Sequence, residues 1–315
     1  MTHVMPKALE ETNFSWLGKR YVGKVRDSYV RDGKRVLIAT DRLSAFDKII
    51  TTVPGKGQVL TQLAKYWFDR CSSIVEHHVI AVPDPCVMIG REVSIVPVEV
   101  VVRGYVAGSA WRDYVAGRPV SGVTLPAGLR EFQKLEQPIL TPSTKEEFGK
   151  HDLPISESEI VARGIVNAQL WDQIRETALS LFKLGTKELE GRGLLFADTK
   201  YEFGILDGRL VLADEIHTLD SSRFWVAESY DALLKEGSSP EMLDKEPIRR
   251  WLMARNFKGD GEIPTIPDEY RLELMQHYTS SFHRITGADC AVDLSSPLER
   301  IERNLRNYFE RNTDL

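Results

Sequence analysis

Leu194-Leu195-Phe196-Ala197-Asp198-Thr199-Lys200-Tyr201-Glu202-Phe203-Gly204 runs through Asp207-Gly208 into Leu210-Val211-Leu212-Ala213-Asp214-Glu215, and its reading decides the fold. Two apolar-rich runs around an Asp-Gly pair predict a β-hairpin. Alternation along a strand puts Asp198, Lys200 and Glu202 on one face, with Phe196 and Gly204 in the same row. A solvated face of an antiparallel hairpin would also carry such a row. Against that account, Asp214 and Glu215 interrupt the apolar run Leu210 to Ala213, so acids stand at the end of a buried-looking strand.

Which carboxylates meet depends on the turn. A two-residue Asp207-Gly208 loop pairs Leu206 with Arg209 and sets Tyr201 opposite Asp214, with Glu202 pointing the other way. A three-residue loop pairs Ile205 with Arg209 and places Lys200 opposite Asp214, with Glu202 diagonal on the same face. Only the second register makes a divalent-cation site from Glu202 and Asp214, and that register is the one expected. Two carboxylates with positions left for phosphate oxygens and water suit Mg²⁺.

Outward from this hairpin, Arg20 to Thr40 reads as strands, with Asp32-Gly33 as a turn and Arg35 to Ala39 as an apolar run. A second hairpin is expected in the Val- and Ile-rich stretch Val93 to Val102, with Pro97 at an edge or a bulge. Between them, Leu60, Leu63, Ala64 and Trp67 have helical spacing within Gln58 to Arg70. Residues 117–155 show no sustained period and predict a long irregular connection. Ser156 and Glu159 form a capping box, and Ile160, Ile165, Ala168, Trp171, Ile174, Ala178 and Phe182 follow as one helix that Gly185 stops. Further helices are expected near 225–236, 245–255, 268–286 and 297–311.

The plan is α+β, in two parts. Residues 1–104 form a strand-rich N-terminal lobe, and residues 105–315 a larger α+β lobe with a helical tail. At roughly 100–200 residues per domain, 315 residues allow two or three packed units. With 42% hydrophobic and 28% charged residues, disorder of the whole chain is excluded. A net charge of −5 argues against nucleic-acid binding. No apolar run reaches the ~18 residues of a membrane span, and Met1 to Glu10 lacks a signal-peptide pattern. Cys71, Cys86 and Cys290 are scattered, with no Cys-x-x-Cys pair, which points to a reducing cytoplasm and away from structural zinc. In that compartment the Asn13-Phe14-Ser15 sequon carries no meaning.

Three further clusters can carry chemistry. In Gly18 to Tyr29, Gly23 lets backbone N–H groups approach an anion, and Lys24 and Arg26, alternating on one strand face, are placed to neutralise phosphate; a basic surface hairpin is the alternative. Arg103-Gly104-Tyr105-Val106-Ala107-Gly108-Ser109 sets one guanidinium and one hydroxyl among small residues, apt for a phosphate monoester, or for a tight turn at a strand end. Arg223, in Asp220-Ser221-Ser222-Arg223, is either a second basic contact or a helix-start residue. Thr141 to Asp152, polar and flanked by Pro138 and Pro154, reads as a surface excursion or as a flap over an ionic substrate.

Taken together, Gly23-Lys24-Val25-Arg26-Asp27, Thr40-Asp41-Arg42-Leu43-Ser44-Ala45-Phe46-Asp47, Val102-Arg103-Gly104-Tyr105, Ala107-Gly108-Ser109, Thr141-Pro142-Ser143-Thr144-Lys145, Asp198 to Gly204, and Asp214-Glu215 through Arg223 resemble one family in order. It is the phosphoribosylaminoimidazole-succinocarboxamide synthases, or SAICAR synthetases, and the longer, yeast-like branch is the more similar. The resemblance implies an N-terminal nucleotide lobe like those of protein kinases and ATP-grasp enzymes. It implies an ATP-dependent ligase of purine biosynthesis that joins L-aspartate to carboxyaminoimidazole ribotide (CAIR). On that resemblance Gly23, Lys24 and Arg26 contact the nucleotide phosphates, and Glu202 and Asp214 serve nucleotide and Mg²⁺. Arg103, Ser109 and Arg223 contact the ribotide phosphate, and Asp198 and Lys200 are the catalytic, substrate-side pair.

The expected partners are CAIR, L-aspartate and ATP, with no nucleic acid and no membrane, and a monomer is expected in preference to a homodimer. A kinase-like phosphotransferase would keep the nucleotide lobe, but no His-Arg-Asp or Asp-Phe-Gly motif is present. A catalytically dead nucleotide-binding scaffold would have lost the carboxylates, and Asp198, Glu202 and Asp214 are all there.

Overall fold

The structure, a computed structural model, describes residues 5–145 and 152–312. The middle of the expected flap, residues 146–151, lies outside that range. The chain divides into two compact units. One comprises the residues up to Tyr66, Val79–Glu92, and those from Lys245 onward; the other comprises Trp67–His78 and Val93–Asp244.

The first unit is built on an antiparallel sheet. Its strands β1 (Arg20–Val22), β2 (Arg26–Arg31) and β3 (Lys34–Ala39) are followed by the two-stranded ribbon β4 (Arg42–Ala45) and β5 (Lys48–Thr52). After helix α1 (Lys56–Cys71) come β6 (Val79–Asp84) and β7 (Val87–Arg91), giving the sheet order β1-β2-β3-β7-β6. The turn at Asp32-Gly33 falls where expected, with Arg31 paired to Lys34. Lys24 and Arg26 do not alternate on one strand: Lys24 lies in the bend between β1 and β2, and only Arg26 begins a strand. In α1, Leu60, Leu63, Ala64 and Trp67 are buried, as their spacing requires.

The second unit has a six-stranded sheet. Its elements are β8 (Ser94–Tyr105), α2 (Ser109–Val115), β9 (Lys134–Leu140), β10 (Ser143–Thr144), α3 (Glu157–Ala162), α4 (Ala168–Glu190), β11 (Leu194–Leu206), β12 (Arg209–Ala213), β13 (Ser222–Val226) and α5 (Ala227–Lys235). Val93 to Val102 makes no hairpin. From Ser94 on it belongs to β8, one long strand whose pairing with β11 jumps from Glu99 opposite Glu202 to Ile95 opposite Gly204, so Pro97 sits in a bulge. The irregular stretch 117–155 contains β9 and β10, which pair with β8.

The helix expected after Ser156 is two helices. The Ser156–Glu159 capping box starts α3, and Asn167 caps α4 separately, its side chain accepting from Leu170 N at 2.9 Å. Gly185 lies inside α4 and does not end it. A Cβ there would stand 2.8 Å from Phe196 and 2.9 Å from His217, so the glycine serves close packing of helix on strand.

The central strand β11 changes partner along its length. Leu194 to Thr199 pairs with β13 and Glu202 to Leu206 with β12, while β8 lines its other edge from Asp198 to Ile205. Lys200 therefore falls where the two neighbours part, and its N–H reaches Ser221 O at 3.0 Å in the segment that joins them.

Helices α6 (Glu246–Met253), α7 (Asp268–Thr286) and α8 (Pro297–Arg311) belong to the first unit. Ile301 and Leu305 of α8 share its core with Tyr29, Val36, Ile38, Val87 and Ile89. Arg300, 3% exposed, donates through Nε to Asp84 at 2.9 Å. The expected division at 104/105 is thus not the one the chain makes. β8 belongs wholly to the second unit, and the tail expected there completes the first, because a helix stripe declares that it must be covered without declaring by what. No helix among the described residues is long and apolar enough to cross a membrane.

Candidate active site

The expected three-residue turn is overturned. Leu206 pairs with Arg209 and Glu202 with Ala213, so the loop is the two residues Asp207 and Gly208, with φ of 50° and 75°. Both left-handed residues match the right-handed strand twist, which selects this turn over the longer one. Strand alternation alone would then turn Asp214 away from Glu202. Pairing, however, ends at Ala213, and Asp214 leaves the strand with φ of 65°. Its carboxylate is nonetheless one of three whose fields act on Lys200.

Lys200 is the hub of this group. Its Nζ donates to Glu99 Oε1 at 2.6 Å and to Glu202 Oε1 at 3.4 Å, and Lys145 Nζ donates to Glu202 Oε2. Burial works against the Lys200 ammonium, but Glu202, Glu99 and Asp214 outweigh it and hold its pKa above the ordinary lysine value. Burial raises the Glu99 carboxyl from its ordinary value; Lys200 opposes that, and Glu202 and Asp152 add to it. Sequence reasoning assigned no role to Glu99 or Lys145. The signal for Glu99 was there, as a single acid inside Val98-Glu99-Val100-Val101-Val102.

Phe196 does not share the row of Asp198. A register shift between the two lets Phe196 pack on His217, ring centroids 4.7 Å apart, on the side where Tyr201 Oη meets His217 Nε2 at 2.6 Å. His217 is fully buried, and burial depresses its pKa from 6.5 to about 3. Tyr201 lies between Lys200 and Glu202 in sequence, so the neutral imidazole braces the strand from behind the charged row.

Beside the row, Asp198 is directly opposite Arg103 on β8 and Arg223 on β13. Its Oδ2 accepts from Arg103 Nη1 at 3.2 Å and from Arg223 Nη1 at 2.7 Å. Arg103 also donates through Nε to Thr141 Oγ1 at 2.8 Å and through Nη2 to Ser109 Oγ at 2.9 Å. Arg103, Ser109 and Arg223 are therefore brought together with Asp198, and Arg223 is a strand residue, not a helix start. Thr141 joins them unforeseen. Burial holds Arg103 below the ordinary guanidinium value; Asp198 opposes that, and Arg223 and Arg112 add to it. Gly108, with φ of 58°, leaves room for the fork: a Cβ there would stand 2.6 Å from Arg223 Nη2.

In the first unit, the Gly23–Arg26 bend is held from the ribbon. Lys24 Nζ donates to Asp47 at 2.5 Å, and Gly23 N–H donates to Arg26 O at 2.8 Å. Arg42 Nε donates to Lys24 O at 3.0 Å.

A buried acid–base row, an arginine-flanked carboxylate and a basic bend on α+β units are the equipment of an enzyme acting on phosphorylated substrates. Residues 19–265 match the family model of SAICAR synthetase. The chain belongs to the SAICAR synthetase family. A phosphoribosylaminoimidazole-succinocarboxamide synthase from Legionella pneumophila is 45% identical over 314 residues, covering 97% of this chain and 100% of the relative. A SAICAR synthase from Saccharomyces cerevisiae, solved with SAICAR, superposes with a TM-score of 0.79 at 32% identity, over 89% of this chain and 99% of that one. A SAICAR synthetase solved in complex with ADP gives a TM-score of 0.66 at 28% identity, over 86% and 99%.

Proposed function

We propose that the chain joins L-aspartate to CAIR with ATP, giving SAICAR, ADP and phosphate, and that the residues above divide the work. The carrying observation is Asp198, clasped by Arg103 and Arg223 one alternation away from Lys200, in a member of this family. A carboxylate does not acylate an amine directly, because oxide would have to leave. A CAIR carboxylate oxygen therefore attacks the γ-phosphorus of ATP, the bond to ADP breaks, and an acyl phosphate results. The aspartate amine then attacks that carbonyl, phosphate leaves, and the nitrogen gives up a proton.

Arg103, Ser109 and Arg223 would bind the ribotide phosphate, since two guanidiniums and a hydroxyl converge there. Asp198, its Oδ2 already accepting two guanidinium N–H groups, is suited to orient the amine, and the departing phosphate can take the proton. Lys200, held protonated, would stabilise negative charge building on the transferring oxygens. Lys24 and Arg26 would neutralise the nucleotide phosphates, and Gly23 would let their backbone approach.

Mg²⁺ fits what is present. Glu202 and Asp214 are hard oxygen donors, and Mg²⁺ held by two carboxylates takes the rest of its shell from substrate phosphates and water. Glu202 and Asp214 would hold it, and when bound it neutralises charge on the β- and γ-phosphates. The reading also takes the chain to be a cytoplasmic monomer. Incubation with CAIR, L-aspartate and Mg-ATP should release phosphate only when both substrates are present. Release indifferent to aspartate overturns the ligase reading.

A further inference from the structure

We infer that Arg42 is a positioning residue for this reaction, turning the backbone of the Gly23–Arg26 bend so that the N–H groups of Lys24 and Val25 face the nucleotide phosphates. The inference rests on the assignment of that bend to the phosphates. Arg42 is 6% exposed. Its Nη2 donates to Gly23 O at 3.0 Å and to Asp27 Oδ1 at 2.9 Å, its Nε to Lys24 O at 3.0 Å, and its Nη1 to Glu10 O at 2.5 Å. Two residues earlier, Thr40 donates to Val25 O through its N–H at 2.9 Å and its hydroxyl at 2.7 Å. The carbonyls of three consecutive residues are therefore drawn toward Thr40 and Arg42.

The consequence follows from the peptide unit. No peptide bond in the described chain is cis, and in a trans unit the C=O of one residue and the N–H of the next point in opposite directions. With Gly23 O and Lys24 O directed at Arg42, the N–H groups of Lys24 and Val25 are directed away from it. Adjacent N–H groups aimed to one side of a bend form an anion-binding concavity. Only a planar fork can reach two successive carbonyls and a carboxylate at once; a lysine ammonium at this depth cannot. The same ribbon ends in Asp47, which holds the Lys24 side chain at 2.5 Å. One short element thus controls both the backbone and the ammonium of the bend.

The test compares Arg42→Lys, Thr40→Val, Lys24→Ala and, as a destabilised control remote in sequence, Arg300→Lys. Arg42→Lys is expected to raise the KM for ATP about tenfold, with the KM values for CAIR and aspartate within about twofold and kcat within about threefold of wild type. Thr40→Val, which loosens the same stretch and keeps its volume, is expected to raise the ATP KM about threefold. Arg300→Lys should lower the melting temperature and leave all three KM values in place. Addition of Mg-ADP should shift the Lys24 and Val25 amide resonances downfield in wild type and far less in Arg42→Lys. If Arg42→Lys moves the ATP KM no more than Arg300→Lys does, or moves all three together, the positioning role is wrong. If Arg42→Lys does not fold, an unchanged ATP KM in Thr40→Val overturns the inference alone. Failure of Lys24→Ala to alter the ATP KM would instead remove the phosphate assignment beneath it.

Discussion

Glu202 on β11 stands directly across from Glu99 on β8, and the two like charges are reconciled by Lys200, whose Nζ reaches both. Opposed carboxylates on neighbouring strands repel, and Lys200, the cation bonded to both, offsets that repulsion. Replacement of Lys200 by methionine should lower turnover by at least about a hundredfold and destabilise the fold by about 2 kcal/mol. Lys200 is held above its ordinary pKa, so its contribution is whole below the unfolded-state value and fades only as pH rises through the folded-state one. The stability loss should therefore be constant between about pH 7 and 9. Adding Glu99→Gln to Lys200→Met should recover stability in urea melts but not turnover. No recovery would mean that the destabilisation has another source.

Neutral His217 gives the fold an acid sensitivity of known sign. Its pKa is depressed from 6.5 to about 3, so its stabilising effect is complete above the unfolded value and is lost as pH falls from there toward 3. Wild-type stability should fall by about 1.4 kcal/mol per pH unit from this one group across that window, in addition to the carboxylates. His217→Gln should flatten the slope by that amount while losing stability at neutral pH through the Tyr201 contact. Parallel slopes for the two proteins, measured by denaturant melts between pH 4 and 7, would place a charged imidazole in the native state.

The site was legible where chemistry is local and obscure where it depends on neighbours. Asp198, Lys200 and Glu202 declare themselves by alternation on one strand, and the Ser156 capping box by its spacing. Glu99 and Thr141 lie 99 and 57 residues before Asp198, and what brings them in is the pairing of β8, β9 and β11, which no local pattern encodes. The hairpin register failed for a different reason. Asp207-Gly208 suits either loop length, and the left-handed turn of Asp214 after the last pair is one that an aspartate tolerates without announcing where the strand ends. The tail helices were found by period but lodged in the wrong unit, since Ile301 and Leu305 show a buried face without naming the sheet that buries it.

Gly108 tests the proposed ribotide end of the site. Alanine there would push a Cβ to within 2.6 Å of Arg223 Nη2 on a backbone already at φ of 58°, and the guanidinium is what can yield. Arg223 should then lose its hold on Asp198 and its proposed hold on the ribotide phosphate. The KM for CAIR should rise about tenfold, with the KM for ATP unchanged. A rise in the ATP KM alone would move Arg223 to the other substrate.

Glu202 and Asp214 are proposed to hold one ion, and a double-mutant cycle decides whether they do. Residues serving a single ligand are strongly non-additive, because removing either already releases it. Glu202→Ala and Asp214→Ala should each lower turnover by about a hundredfold or more and each weaken Mg-ATP binding, with the double variant little worse than the poorer single one. Glu202→Ala also strips Lys200 and Lys145 of a partner, so its folded yield is measured beside its turnover. Raising Mg²⁺ should rescue part of each single loss, since the substrate phosphates still supply ligands. Losses that multiply, or that ignore Mg²⁺, would show the two carboxylates acting at separate points: Glu202 within the lysine network, and Asp214 on the nucleotide or on the segment that carries it.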